Sequence, residues 1–182
     1  MRPIAVGITV LTLAGKLLLG RYQDEAAAKL APEQLVVGVK RGAELIVHRL
    51  RSWASRALPD HFLLQLDFRN AFNTVLREAL LQAIKEQCPW FLAYAKACYG
   101  SAVRLFSVDG LLLFSREGVQ QGDPCGPLFF AVAIAALTRS LSSVPGIWSV
   151  WFLDDGHLAG PRSTLNDLLP IIERKQHLWV CG

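Results

Sequence analysis

HFLLQLDFRNAFN, residues 61–73, is the stretch from which the fold can be read. Phe62, Leu64, Leu66 and Phe68 fall on one side and Leu63, Gln65 and Asp67 on the other, the period of a β-strand with one face buried. Asp67 stands at the carboxyl end of this apolar run. A charge there is costly unless something compensates it, and a metal ion would. Farther along, WFLDDGHLAG (151–160) places Asp154 and Asp155 between two apolar runs, 147–153 and 156–159, and so predicts a hairpin with the acidic pair at its tip. Between these segments lies GVQQGDPCGPLFF (118–130), a Gly- and Pro-rich loop. It leads into residues 128–141, which are apolar nearly all round and predict a deeply buried helix.

The remaining pattern is mixed. EAAAKL predicts a short helix that begins near Asp24, after Gly20, and stops before Pro32. Ala43, Ile46, Leu50, Trp53 and Ala57 recur at steps of three and four along one helix face. His48, Arg49, Arg51 and Arg56 fall largely off that stripe, on a basic face that reads either as solvated or as a contact for phosphates. Asn70 or Asn73 is placed to cap a helix whose buried stripe is Val75, Leu76, Ala79, Leu80, Ala83 and Ile84, ended by Pro89. Residues 90–99 predict another helix, and Asp109-Gly110 a two-residue turn between strands 102–108 and 111–115. Leu165, Leu168, Leu169 and Ile172 mark a last helix. Helices alternating with hairpins argue an α+β fold, with helices covering one face of a sheet.

Composition sets outer bounds. The 182 residues are 52% hydrophobic and 19% charged, with mean hydropathy +0.32, so one packed core is expected and disorder is not. A net charge of +4 and a pI near 9.0 favour polyanionic partners. Cys88, Cys98, Cys125 and Cys181 have no zinc-like spacing and read as reduced, mostly buried thiols, and His48, His61, His157 and His177 are equally scattered. The opening MRPIAVGITVLTLAGKLLLG has the outline of a leader peptide, but Lys16 interrupts it and the run is shorter than the ~20 residues a membrane span needs. No membrane partner is expected. Localisation stays open, with an intracellular site, nuclear included, favoured.

Asp67, the loop at 118–127 and the Asp154-Asp155 pair are together similar to the palm motifs of reverse transcriptases, most like those of non-LTR retrotransposons. The resemblance covers nearly the whole chain. It implies a polymerase palm with a small antiparallel sheet, plus partial fingers: residues 1–60 as fingers and connecting helices, 61–182 as palm. It also implies RNA-directed DNA polymerisation on an RNA template, from a DNA or RNA primer and deoxyribonucleoside triphosphates. Two magnesium ions, with manganese as a substitute, would be held by Asp67, Phe68, Asp154 and Asp155 and clamp the attacking and leaving oxygens. Asp67 and Asp154 would bridge both ions, with Asp155 more peripheral.

Other roles follow from the same likeness. Phe72, five residues after Asp67, matches the aromatic that blocks a ribonucleotide 2′-hydroxyl. Residues 121–127, QGDPCGP, resemble the family's QGDPLGP with Cys125 in place of leucine; Gln121 and Gly122 would lie at the incoming nucleotide. Arg2 resembles a fingers residue that touches triphosphate or template. The family's earlier fingers, primer grip and thumb have no match, so the expectation is a truncated domain. The alternative is an inactive retroelement remnant that at most binds nucleic acid, and an RNA-templated RNA polymerase is the weaker third reading.

Overall fold

The computed structural model describes residues 8–68, 70–107 and 109–179, with the side chains of 175–179 excluded. Arg2 and Cys181 therefore lie outside the described residues, as does the His177 side chain. Among the described residues, seven α-helices and five strands follow in the order α1 (Thr9–Leu30), α2 (Gly42–Ala54), β1 (His61–Asp67), α3 (Ala71–Thr74), α4 (Arg77–Gln87), α5 (Leu92–Tyr99), β2 (Val103–Phe106), β3 (Leu112–Ser115), α6 (Gly126–Ser142), β4 (Trp148–Phe152), β5 (Asp155–Pro161) and α7 (Arg162–Trp179). A 3₁₀ turn at Pro89–Phe91 joins α4 to α5. The fold is α+β, as expected.

The sheet that matters has the order β1-β5-β4, antiparallel throughout. Its core face carries Leu64, Leu66, Leu158 and Trp151, which pack with α6 and α7 in one cluster with Ala26 and Leu30 of α1. α6 is the centre of that core: twelve of its residues, from Gly126 to Leu141, are buried. Gly156 is the cross-strand partner of Trp151, and a β-carbon on it would overlap the indole ring, so only glycine lets the tryptophan lie flat across β5.

The second face is divided. Successive strand residues point to opposite sides, and Val150, next to Trp151, packs instead with Leu35 and Ile46 of a small separate cluster under α2. Helices thus cover more than the one face expected, but only over β4. Leu63, Gln65, Asp67 and Asp155 on the rest of that face stay exposed.

Several elements differ from the sequence expectations. α1 runs unbroken through Gly20, merging what read as two segments, and its last turn ends at Leu30, before Pro32. The helix expected from Asn70 onward is broken at Val75 and Leu76, whose extended backbone separates α3 from α4. The break has a partner: the Gly118 amide donates to the Val75 carbonyl (2.9 Å) and the Val119 amide to that of Phe72 (2.6 Å), so residues 118–119 lie along the gap. Asn70 sits at the α3 N-cap in a left-handed conformation, without a side-chain capping bond. Phe106 pairs with Leu112, so the β2–β3 loop is longer than two residues, and this hairpin forms a separate sheet with Phe106 and Leu111 to Phe114 exposed.

Gly118 is held at φ +73, where an added β-carbon would collide with the Asn73 backbone carbonyl. Gly118→Ala should destabilise the chain by about 2 kcal/mol or more, read from urea unfolding. An unchanged midpoint would mean that the contact between 118–119 and the helix break carries no weight.

Candidate active site

β1 ends on Asp67 and β5 begins on Asp155, and the antiparallel register sets these two residues directly opposite each other. Phe152 pairs with Asp155 as well, so the turn of the β4–β5 hairpin is Leu153-Asp154 and not the acidic pair itself. Leu153 adopts φ +57, a conformation that costs a bulky residue about 1–2 kcal/mol. Asp67 and Asp155 are exposed and Asp154 is half-buried. Water therefore solvates Asp67, contrary to the expectation that an apolar strand end would make its charge costly.

The cost lies elsewhere. Like charges directly opposite on antiparallel strands repel each other, and the register gives the Asp67–Asp155 pair that arrangement. Its oxygens suit a hard divalent cation. Among the described residues, no three His, Cys, Asp or Glu side chains are already gathered as a ligand set. The register supplies two carboxylates at strand ends, with a third on the adjoining turn.

The other expected residues differ in burial and contacts. The Phe68 side chain is buried and stacked on Trp151 (5.8 Å between centroids), so only its backbone carbonyl, which accepts from the Ala71 amide (3.3 Å), could face a cation. Phe72 is half-buried and stacks on Phe130 at 4.5 Å. Gln121 and Gly122 are exposed on the loop before α6. On α2, Arg51 and His48 are exposed, whereas the Arg56 guanidinium is tied to Ser52 through its carbonyl (3.0 Å) and hydroxyl (2.9 Å). His157, next to the acidic edge, is held below its ordinary pKa by burial, against the opposing pull of Asp155.

The sequence reading missed what fixes that loop. The Asp123 carboxylate accepts from the Tyr94 hydroxyl (2.7 Å), the Tyr99 hydroxyl (2.5 Å) and the Cys125 amide (2.9 Å). Burial first, then the Asp123 contact, pushes both phenols far above their ordinary range, so they remain donors. Arg77, buried at the start of α4, donates to the carbonyls of Gly118 (3.1 Å), Ser101 (3.3 Å), Ser115 (2.8 Å) and Glu117 (3.2 Å) and to the Ser115 hydroxyl (2.7 Å). Its five donors are all used. Cys125 fits where leucine was expected because α1 comes close: its thiol donates to the Gly15 carbonyl at 3.5 Å, and a β-carbon on Gly15 would meet the Tyr94 hydroxyl at 2.6 Å.

A three-stranded antiparallel sheet with acidic residues at one edge, backed by helices and flanked by an anchored Gly/Pro loop, has the form of a polymerase palm. Residues 10–177 match the family model described as reverse transcriptase (RNA-dependent DNA polymerase), and the chain belongs to that family. It is similar to the retrotransposable element SLACS 132 kDa protein of Trypanosoma brucei gambiense, at 28% identity over 174 residues, covering 92% of this chain and 14% of that protein. Telomerase structures share the fold. That from Candida albicans, in complex with a fragment of telomeric RNA, superposes with TM-score 0.57 at 15% identity over 89% of this chain. Apo telomerase from Candida tropicalis gives 0.55 at 13% identity over 93%. The chain spans about a third of the length of those structures and about a seventh of the SLACS protein.

The repulsion across the β1–β5 pair gives a direct test. In EDTA, Asp155→Asn should melt higher than the unsubstituted chain, and added magnesium should raise the melting temperature of the unsubstituted chain more than that of the variant. A lower melting temperature for Asp155→Asn in EDTA would mean that the two carboxylates do not repel.

Proposed function

We propose that this chain is the polymerising part of a retrotransposon-type reverse transcriptase, which extends a DNA or RNA primer on an RNA template with deoxyribonucleotides. The observation that carries the reading is the register of Asp67 against Asp155 with Asp154 on the adjoining turn. Residues 61–182 are assigned as palm and residues 1–60 as the fingers side, with α1 contributing Ala26 and Leu30 to the same core.

The cation site consists of Asp67, Asp154 and Asp155, with the Phe68 carbonyl beside them. Asp67 and Asp154 would be the principal ligands and Asp155 the more peripheral one. When bound, two magnesium ions, or manganese in their place, supply charge neutralisation of the triphosphate and activation of the primer hydroxyl. In the reaction, the primer 3′-oxygen forms a bond to the α-phosphorus, the bond from that phosphorus to pyrophosphate breaks, and the hydroxyl proton passes to solvent. This chain's own residues position the reactants. Gln121 and Gly122 lie on a loop held by Asp123 and Arg77, ready for the incoming nucleotide. Phe72 presents the part of its ring not covered by Phe130 to the sugar, where a 2′-hydroxyl would meet carbon. Arg2 is assigned to the triphosphate or template.

Primer extension on an RNA template tests the reading. Asp154→Asn should lower the rate by at least about 100-fold while primer-template binding persists. Binding without incorporation by the unsubstituted chain would instead favour a non-polymerising remnant, and equal extension by the variant would remove Asp154 from the site.

Phe72→Ala should raise ribonucleotide incorporation relative to deoxyribonucleotide by about tenfold or more. An unchanged sugar preference would leave Phe72 as a packing residue against Phe130.

A further inference from the structure

The segment between α1 and α2 runs alongside β4. The Trp151 amide donates to the Glu33 carbonyl (2.8 Å), and the Leu35 amide donates to the Trp151 carbonyl (3.0 Å). Gln34, between them, is 2% exposed, and its side chain reaches past the strand end to the hairpin turn. There its Nε2 donates to the Leu153 carbonyl at 3.0 Å, and its Oε1 accepts from the Leu153 amide at 3.1 Å.

Leu153 is a turn residue with no ladder partner of its own, and it holds a left-handed conformation that leucine resists. The Gln34 amide supplies what a neighbouring strand would: one donor and one acceptor on the same residue. Only asparagine and glutamine carry both in a single amide, and asparagine is one methylene shorter. The bonded carbonyl belongs to the peptide that joins Leu153 to Asp154. Holding that peptide plane fixes the direction in which Asp154 leaves the backbone.

We propose that Gln34 is a positioning residue for the cation site: it locks the Leu153–Asp154 peptide so that Asp154 is presented beside the Asp67–Asp155 pair. The inference rests on the metal-binding reading above. It adds to that reading a residue 119 positions from the turn in sequence, on the segment that links α1 to α2. Groups that orient metal ligands from behind are worth roughly 10-fold to 100-fold in metal affinity.

The test uses Mn²⁺ binding to the full chain, followed by electron paramagnetic resonance of the free ion, for the unsubstituted protein, Asp154→Asn and Gln34→Met. Methionine keeps the length and the burial and removes both hydrogen bonds. Gln34→Met should bind Mn²⁺ roughly 10-fold to 100-fold more weakly. Hydrogen exchange should speed up at the Leu153 amide while the Leu35 and Trp151 amides, bonded through backbone, keep their protection. General loosening of the fold would release all three together. Binding by Gln34→Met equal to that of the unsubstituted chain overturns the role of Gln34 alone. Equal binding by Asp154→Asn and the unsubstituted chain overturns the metal reading, and the positioning role falls with it. Should Gln34→Met not fold, exchange in the unsubstituted chain decides: a protected Leu153 amide supports the clamp, and an unprotected one overturns it.

Discussion

Pairing of β1 with β5 in one particular register is the constraint from which the rest follows. It buries Leu158 and half-buries Leu64 and Leu66 on one face, and the same alternation places Asp67 against Asp155 on the other. A slip of one residue would expose the leucines and turn the acidic ends toward the core, so packing enforces the electrostatic arrangement. The apolar face is worth far more than the repulsion costs, because burying one leucine contributes about 2 kcal/mol whereas exposed charges interact weakly in water. The protein can therefore hold two carboxylates opposite each other without a cation.

The loop before α6 is fixed by a different kind of force. Its backbone cannot join the sheet, so side chains satisfy it: Arg77 takes three of its carbonyl neighbours and the Ser115 hydroxyl, and Asp123 collects two phenols and an amide. Buried polar groups of this sort are costly when left unpaired and rigid when fully paired. Gln121 and Gly122 are exposed on the loop held in this way. Gly118 and Gly15 make the close approaches possible, the first against α3 and the second between α1 and the loop.

Much of this was legible from residue periodicity. The alternation from Phe62 to Phe68, the all-apolar run of α6 and the acidic hairpin each carried a local signal, and each element formed, the hairpin with its turn at Leu153-Asp154, one residue earlier than the acidic pair. The misreadings were nonlocal. Val75 and Leu76 fit a helical stripe, yet the pairing of 118–119 with that stretch overrides their local preference. Gly20 looked like a boundary, but α1 packs along its length and absorbs the cost of one glycine. The sequence reading singled out neither Arg77 nor Gln34. Nothing in their neighbours reveals that one collects carbonyls 24 to 41 residues away and the other a turn 119 residues away.

The division of the second sheet face ties these parts together. α2 covers β4 through Ile46 and Val150, and it stops short of β1. Full coverage would bury Asp67 and Asp155 without partners, at a cost no leucine contact would offset. No coverage would leave β4 as an open edge, free to pair with another chain. Glu33 and Leu35 occupy that edge with backbone bonds, and the Gln34 side chain between them reaches the turn. The segment that protects the edge is thus the same one that holds the peptide before Asp154. Displacement of this segment would be transmitted to the acidic turn through the Gln34 amide and through the backbone bonds to Trp151.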